Sequence, residues 1–402
     1  MDPRTNPYAP GAGIKPPAFA GREDLLEQID IIYDRKLNAL HASDVILLGL
    51  RGVGKTVLLN ALHATAKSKG IETIKFEVPD GTGGHLNRAL IPALNVVLQK
   101  LSRRQAVEEK LKRAAGALRG FASVFQISFE GFSFGATPPP PIANSGNLEF
   151  DLPELLCAVA DAAMARDTCL AVFIDEVQYL EKKELSALAR ACHEAAQTGV
   201  PLIFIGAGLP QIAALAGEAK SYAERLFLYP EIGALSAAAA REVMVLPAQR
   251  EGVSYTDAAL DLILQQTQRY PYFLQSWGKF AWDQANGTTI EVHDVKLALP
   301  DITAHLDQSF FRVRFDRCSA LEQKYLRAMA ELGEGPFQTG DIAGILGTES
   351  AQVAPVRQKL IRAGMIFSQR HGETDFTVPL FGAFMKRMLP RFEIYSPGKR
   401  AT

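Results

Sequence analysis

The feature that most constrains this chain is Gly49-Leu50-Arg51-Gly52-Val53-Gly54-Lys55-Thr56, a G-x-x-x-x-G-K-[ST] run. It directly follows the apolar segment Val45–Leu48 and opens a helical pattern over Lys55–Lys69. A strand, a glycine-rich turn and a helix in that order make an anion site. Backbone N–H donors converge on one point, the missing side chains of Gly49, Gly52 and Gly54 let an oxyanion approach, and the helix N-terminus adds favourable potential. Arg51, Val53 and Val57 belong to the same turn and helix start. Lys55 is expected to reach the β- and γ-phosphates of a nucleotide, and Thr56 to give its hydroxyl to Mg²⁺.

A second segment completes the chemistry. Leu170-Ala171-Val172-Phe173-Ile174-Asp175-Glu176 is a strand-like apolar run that ends in two adjacent carboxylates. Ionised groups at the end of a buried strand are costly to desolvate, so two of them are poor design for stability alone. Beside a phosphate loop both have work. Asp175 would hold Mg²⁺, directly or through water, and Glu176 would polarise an attacking water. The presence of the second acid favours hydrolysis over binding only.

The 402 residues predict two to four domains. Hydrophobic residues make up 48% and charged residues 22%, an ordinary globular balance. A net charge of −1 excludes whole-chain attraction to nucleic acid or to an anionic membrane, though not a local basic face. Apolar runs such as Leu170–Ile174 and Leu202–Ile205 are far shorter than the ~20 residues that cross a bilayer. The first residues lack the basic-then-apolar pattern of a signal peptide, so a cytoplasmic protein is expected. Cys157, Cys169, Cys192 and Cys318 have no paired spacing, which predicts reduced and mostly buried thiols.

From Phe19 onward, short β-branched runs alternate with helical stretches, predicting an α/β core with a parallel sheet. Strands are expected near Val45–Leu48, Thr73–Val78, Leu170–Ile174, Leu202–Ile205 and Leu226–Leu228. Helices are expected over Glu23–Leu40, Lys55–Lys69, His85–Leu101, Leu152–Ala165 and Glu184–Thr198. Residues 1–18 read as a flexible Pro/Gly-rich arm. Ser102–Leu148 reads as an insertion. It has a basic first part and an alternating run (Phe125, Ile127, Phe129, Phe132, Phe134), followed by the stiff Pro138–Pro141 linker. It is either a solvated helix plus an edge hairpin packed on the core or an arm facing a partner or DNA. After Leu235 the strands are expected to stop.

These residues resemble a family. A glycine-rich phosphate loop, an intervening strand and then Asp-Glu resembles the AAA+ ATPases and the related STAND signalling ATPases, in an initiator-like, archaeal-ATPase-like branch. Phe19-Ala20-Gly21-Arg22-Glu23 is similar to the box before the first helix, which in that family lies against adenine. Tyr222-Ala223-Glu224-Arg225-Leu226 is similar to the boundary between core and lid, and Arg225 matches an arginine finger that reaches a neighbouring subunit's γ-phosphate. Arg269-Tyr270-Pro271 is similar to the G-x-P lid motif, whose proline touches nucleotide. Arg269 stands where that motif has glycine, either as a sensor arginine or as a surface residue. The resemblance implies ATP and Mg²⁺ as ligands and a homo-oligomer or protein partner, while the departures from it, at Arg269 and at the end of the fourth strand, favour slow hydrolysis. It implies a core over 19–235, a helical lid over 236–305 and a winged helix over 306–402. One departure is plain: the fourth strand ends in Gly206-Ala207-Gly208, where the family places a polar sensor residue, and Gln211 is the nearest polar candidate.

The last module has its own pattern. Ser319–Leu332, Gln338–Leu346 and Ser350–Ala363 read as helices, the last requiring Pro355 within about its first turn. Met365–Ser368 and Asp375–Val378 read as a hairpin. Residues 310–402 carry 14 Lys+Arg against nine Asp+Glu. Arg357, Lys359 and Arg362 on the third helix, with Arg370 and His371 at the hairpin tip, would suit DNA phosphates. A protein-docking or autoinhibitory module is the other reading.

Overall fold

Near-continuous apolar runs become strands buried on both faces, which is why the sheet forms where the alternating pattern puts it. The computed structural model describes residues 1–11, 13–81, 83–102, 108–127, 142–368, 370 and 372–392. Its main sheet contains β1 (Asp44–Gly49), β2 (Glu72–Glu77), β3 (Leu170–Asp175), β4 (Leu202–Gly208), β5 (Phe227–Leu228) and β6 (Glu231–Ile232). Their order is β2-β3-β4-β1-β5, with β6 also on β1, and every pairing is parallel. β1, β3 and β4 are buried throughout, whereas the edge strand β2 is only partly so. At the start of β1 the buried Asp44 accepts the Phe204 N–H at 2.7 Å, which ties β1 to β4.

The chain divides into two compact units, one comprising Arg22–Gly49 and Lys55–Ile232, the other Met1–Gly21, Leu50–Gly54 and Gly233–Thr402. The first unit adds α1 (Glu23–Leu37), α2 (Lys55–Ser68), α3 (His85–Ser102), α4 (Glu108–Val124), α5 (Leu148–Met164), α6 (Lys182–Thr198), α7 (Ile212–Ala219) and the short α8 (Ala223–Leu226). The insertion differs from expectation. Rather than a solvated helix, α4 buries Leu111, Ala114, Ala117, Leu118 and Phe121 in the same apolar cluster as α3 and α5. Gly120 permits this, since a Cβ there would stand 2.0 Å from the Ile142 carbonyl oxygen. Phe125 and Ile127 follow the end of α4, while the rest of the expected hairpin and the Pro138–Pro141 linker lie outside the described residues. α5 starts four residues before its expected Leu152 because Asn147 caps it, accepting the Glu149 N–H at 3.0 Å.

In the second unit, α9 (Ala237–Arg250), α10 (Asp257–Gln266), α11 (Pro271–Gln284) and α12 (Val292–Leu306) precede a short α13 (Arg312–Phe315). Ser236 and Thr256 cap α9 and α10 through their hydroxyls. The strands do not stop after Leu235: β7 (Ser254–Tyr255) pairs in parallel with β8 (Thr289–Ile290). Two-residue strands leave no periodic trace in a sequence. Then come α14 (Ala320–Glu331), β9 (Phe337–Gln338), α15 (Thr339–Leu346), α16 (Ser350–Arg362), β10 (Ile366–Phe367), β11 (Glu373–Phe376) and α17 (Phe381–Met388). β10 and β11 form the expected antiparallel pair, and β9 adds an unforeseen third strand on β11. Pro355 sits in the second turn of α16 rather than its first, on the same face as the exposed Ala351 four residues before it.

The arm expected to be flexible is fixed on this unit. Tyr8 is 3% exposed, its hydroxyl donates to the Met244 carbonyl, and it accepts the Tyr255 hydroxyl at 2.9 Å. Its ring fills the space above Gly278, where a Cβ would stand 2.7 Å away. Asn6 donates to Asp283 at 2.8 Å and the Trp282 indole to the Asp2 carbonyl at 3.1 Å. Removing an aromatic ring seated in this way costs about 3 kcal/mol. Tyr8→Ala is therefore expected to lower the urea midpoint and to speed proteolytic trimming of residues 1–21. Unchanged trimming would show that the ring does not anchor the arm.

Candidate active site

The parallel sheet sends its strand ends to one edge, and the first unit collects its polar groups there. β1 leads into the glycine turn and β3 ends at Asp175, with β4 between them. The Thr56 hydroxyl, at the start of α2, donates to Asp175 Oδ2 at 2.7 Å. The other carboxylate oxygen accepts the Glu176 N–H at 2.9 Å. Lys55 Nζ donates to the Gly49 carbonyl at 2.9 Å, so its ammonium folds back on its own loop. The sequence-predicted pair Thr56 and Asp175 thus meet directly, joined from positions 119 residues apart.

Asp175 is 3% exposed. Burial raises its carboxyl above the usual range, the Thr56 hydroxyl opposes that, and the adjacent Glu176 charge raises it further. A hydroxyl and an acid so paired fit a hard divalent cation, which takes oxygen ligands and would offset the burial of the charge. Gly54 has a φ of +92° and open space where a Cβ would project, while Gly52 has a φ of +84°. Both are left-handed positions where glycine is unstrained, as a loop that cups phosphates requires. Val53 is buried and Arg51 and Val57 are half-buried.

Glu176 is a non-glycine residue at φ +55°, a conformation that costs roughly 1 kcal/mol or more and concentrates at functional sites. Its carboxylate accepts the Gln178 side-chain amide. Gln178 Oε1 in turn accepts the Leu209 N–H at 3.1 Å, just past β4. Sequence reasoning missed Gln178, although it stands two residues after the acid pair. It also missed Glu184, a buried carboxylate that accepts the Gly84 and Leu86 N–H groups at 3.2 and 3.3 Å and orders the turn after β2.

The remaining predicted residues are distributed as follows. Arg22 precedes α1, half-buried, its guanidinium held below its usual range by that burial. Arg225 is exposed at the end of α8, and Phe19 is half-buried. Within the second unit, which includes Leu50–Gly54, the Tyr272 N–H donates to the Gly52 carbonyl at 3.3 Å. Pro271 occupies the first turn of α11. Arg269 is exposed with a φ of +59°, the conformation that a glycine would adopt without strain. In the last module Lys359, Arg362 and Arg370 are exposed. Arg357 is not displayed as expected: it is half-buried and donates to the Ser368 hydroxyl at 2.8 Å and the Glu373 carbonyl at 3.1 Å. His371 lies outside the described residues.

Residues 18–205 match the family described as AAA ATPase domain, over a span that includes the glycine turn, Asp175 and Glu176. Residues 308–385 match a domain of unknown function (DUF8462). No curated protein matches the chain. Among solved structures, the chain is similar to a Walker-type ATPase of Pyrococcus abyssi at 17% identity, covering 91% of this chain and 95% of that one with a TM-score of 0.56. That likeness is one of fold, a P-loop NTPase sheet with flanking helices. The RuvB Holliday junction branch migration motor of Thermotoga maritima matches at 14% identity over 94% and 96% of the two chains, TM-score 0.44. The Aeropyrum pernix Orc1 protein, solved in complex with DNA, matches at 16% identity over 94% of each, TM-score 0.45. Among the described residues no helix is long and apolar enough to cross a membrane.

The raised Asp175 carboxyl has a consequence for stability. A carboxyl with a folded pKa above its unfolded one holds its proton more tightly when folded, so stability falls as pH rises from the unfolded carboxylate range through the folded pKa. Asp175→Asn is therefore expected to raise the thermal midpoint of metal-free protein at neutral pH and to flatten that decline. Thermal unfolding over a pH series measures it. A lower midpoint would mean that Thr56 and the Glu176 N–H already offset the burial.

Proposed function

We propose that this protein binds ATP and hydrolyses it slowly with Mg²⁺, as a conformational switch. The observation that carries the reading is the 2.7 Å bond between Thr56 and Asp175, with Glu176 held in a strained backbone beside it. Gly49, Gly52 and Gly54 would cup the phosphates, Lys55 would leave the Gly49 carbonyl for the β- and γ-phosphate oxygens, and Thr56 and Asp175 would hold the cation. Bound Mg²⁺ would withdraw charge from the phosphate oxygens. Glu176 would orient a water and accept its proton as the water oxygen bonds to the γ-phosphorus and the bond to the bridging oxygen breaks, giving ADP and phosphate. The exposed Arg225 would act on a neighbouring subunit's nucleotide, which makes a homo-oligomer the working form. Phe19, Arg22, Arg269 and Pro271 would contact the nucleotide.

The module formed by α14–α16 and β9–β11 we read as a winged helix, with Lys359, Arg362 and Arg370 facing DNA phosphates in a cytoplasmic protein. A second reading has a specific observation behind it. Arg357 directs its Nη2 bonds within the module, which supports a STAND-like signalling switch whose winged helix docks a protein or autoinhibits.

Steady-state ATP hydrolysis across protein concentration, with and without duplex DNA and with Lys55→Ala as the blank, tests these roles. Glu176→Gln is expected to keep ATP affinity and lose at least about a hundredfold in turnover. Arg225→Ala is expected to abolish a steeper-than-linear dependence on protein concentration. Normal turnover by Glu176→Gln would overturn the assigned base, and strictly linear wild-type turnover the role in trans. DNA affinity should fall with salt, with a shallower slope after Lys359→Ala and Arg362→Ala. Turnover and binding indifferent to DNA would favour the protein-docking reading.

A further inference from the structure

The end of β4 lacks a polar side chain, and the first unit supplies one from the neighbouring strand. Gly208 has no Cβ, and one built there would stand 2.9 Å from Gln178 Oε1 and 2.7 Å from Val177 Cγ2. The glycine therefore leaves room for the turn after β3 to fold over the end of β4. Gln178 uses that room to make two bonds at once. Its Oε1 accepts the Leu209 N–H at 3.1 Å, and its Nε2 donates to Glu176 Oε2. The amide orientation is fixed by chemistry. A backbone N–H can only donate and an ionised carboxylate can only accept, so no flipped amide satisfies both neighbours.

We infer that Gln178 is the positioning residue for Glu176 and that it couples the acid to the end of β4. This rests on the hydrolysis reading above. Oε2 is engaged by Gln178, which leaves Oε1 for the water of the hydrolysis reading, and the left-handed backbone of the half-buried Glu176 keeps the carboxylate within reach of that partner. A side chain attached at both ends holds the acid in one rotamer, which is what orienting a nucleophile requires. It also makes Glu176 responsive to displacement of Leu209. Gln211, the polar candidate in the sequence, stands further on, just before α7.

The test uses the full chain and two variants. Gln178→Met keeps the volume without hydrogen bonds, and Gln178→Glu keeps the shape but replaces the donor with a charge. In nucleotide-free protein, amide hydrogen exchange at Leu209 is expected to speed up at least tenfold in Gln178→Met, because its acceptor is gone. In both variants kcat is expected to fall at least tenfold, with KM and the affinity for a fluorescent ATP analogue within twofold of wild type. That unchanged affinity also shows the variants are folded. Gln178→Met that matches wild type in kcat, or leaves Leu209 exchange unchanged, overturns the assignment alone. If Gln178→Met fails to bind nucleotide, Gln178→Glu with wild-type kcat overturns it equally. Wild-type protein without turnover above the Lys55→Ala blank overturns the hydrolysis reading and this assignment with it.

Discussion

The bond between Thr56 and Asp175 is the interaction on which the site depends. It joins the first turn of α2 to the end of β3, two elements brought to one edge only because β4 pairs with both β1 and β3. A carboxylate this deeply buried is unfavourable unless every oxygen is engaged. One oxygen takes the Thr56 hydroxyl and the other the Glu176 N–H, and the second of these bonds sits at the left-handed turn that aims Glu176. The burial of one acid and the direction of the next are thus one arrangement. The cost of the first is part of what specifies the second.

The core was legible in the sequence because its signals are local. Fully buried parallel strands are unbroken apolar runs, and Val45–Leu48, Leu170–Ile174 and Leu202–Ile205 all fall inside observed strands. Glycines placed between a strand and a helix announce a phosphate loop without any knowledge of its partners. The packing of α4 was not legible, because its basic residues suggested a solvated face. Lys110 instead meets Asp161 at 2.7 Å, and Leu111, Ala114, Ala117, Leu118 and Phe121 form a buried face along the helix. The fixed arm was hidden for a similar reason. Its proline-rich composition says that it forms no regular element, but not that Tyr8 has a place waiting above Gly278.

Gln178 and Arg269 show two ways in which a local rule misleads. At β4 a polar residue is absent from the expected strand position, and a side chain from the turn after β3, Gln178, reaches the end of that strand instead. At Arg269 the expected glycine is absent, yet the backbone keeps the glycine conformation, φ +59°. The Leu235 N–H donates to the Arg269 carbonyl at 3.1 Å, and the Arg269 N–H donates to the Thr267 hydroxyl at 3.2 Å. These bonds hold the turn against a strain of roughly 1 kcal/mol. In one case the chemistry moved to another residue; in the other the residue changed and the geometry stayed.

The same distinction between composition and placement applies to the last module. A count of basic residues treats Arg357 as equivalent to Lys359 and Arg362, because all three lie on α16. Arg357, however, is half-buried and donates to the Ser368 hydroxyl and to the Glu373 carbonyl at the turn end of the β10–β11 pair. These two bonds, both from Nη2, tie the helix to the hairpin before any partner arrives. Its removal would weaken DNA binding and protein docking alike, by loosening the hairpin. Exposed Lys359 and Arg362 are free of that ambiguity, so they and not Arg357 distinguish a phosphate-binding face from a docking surface.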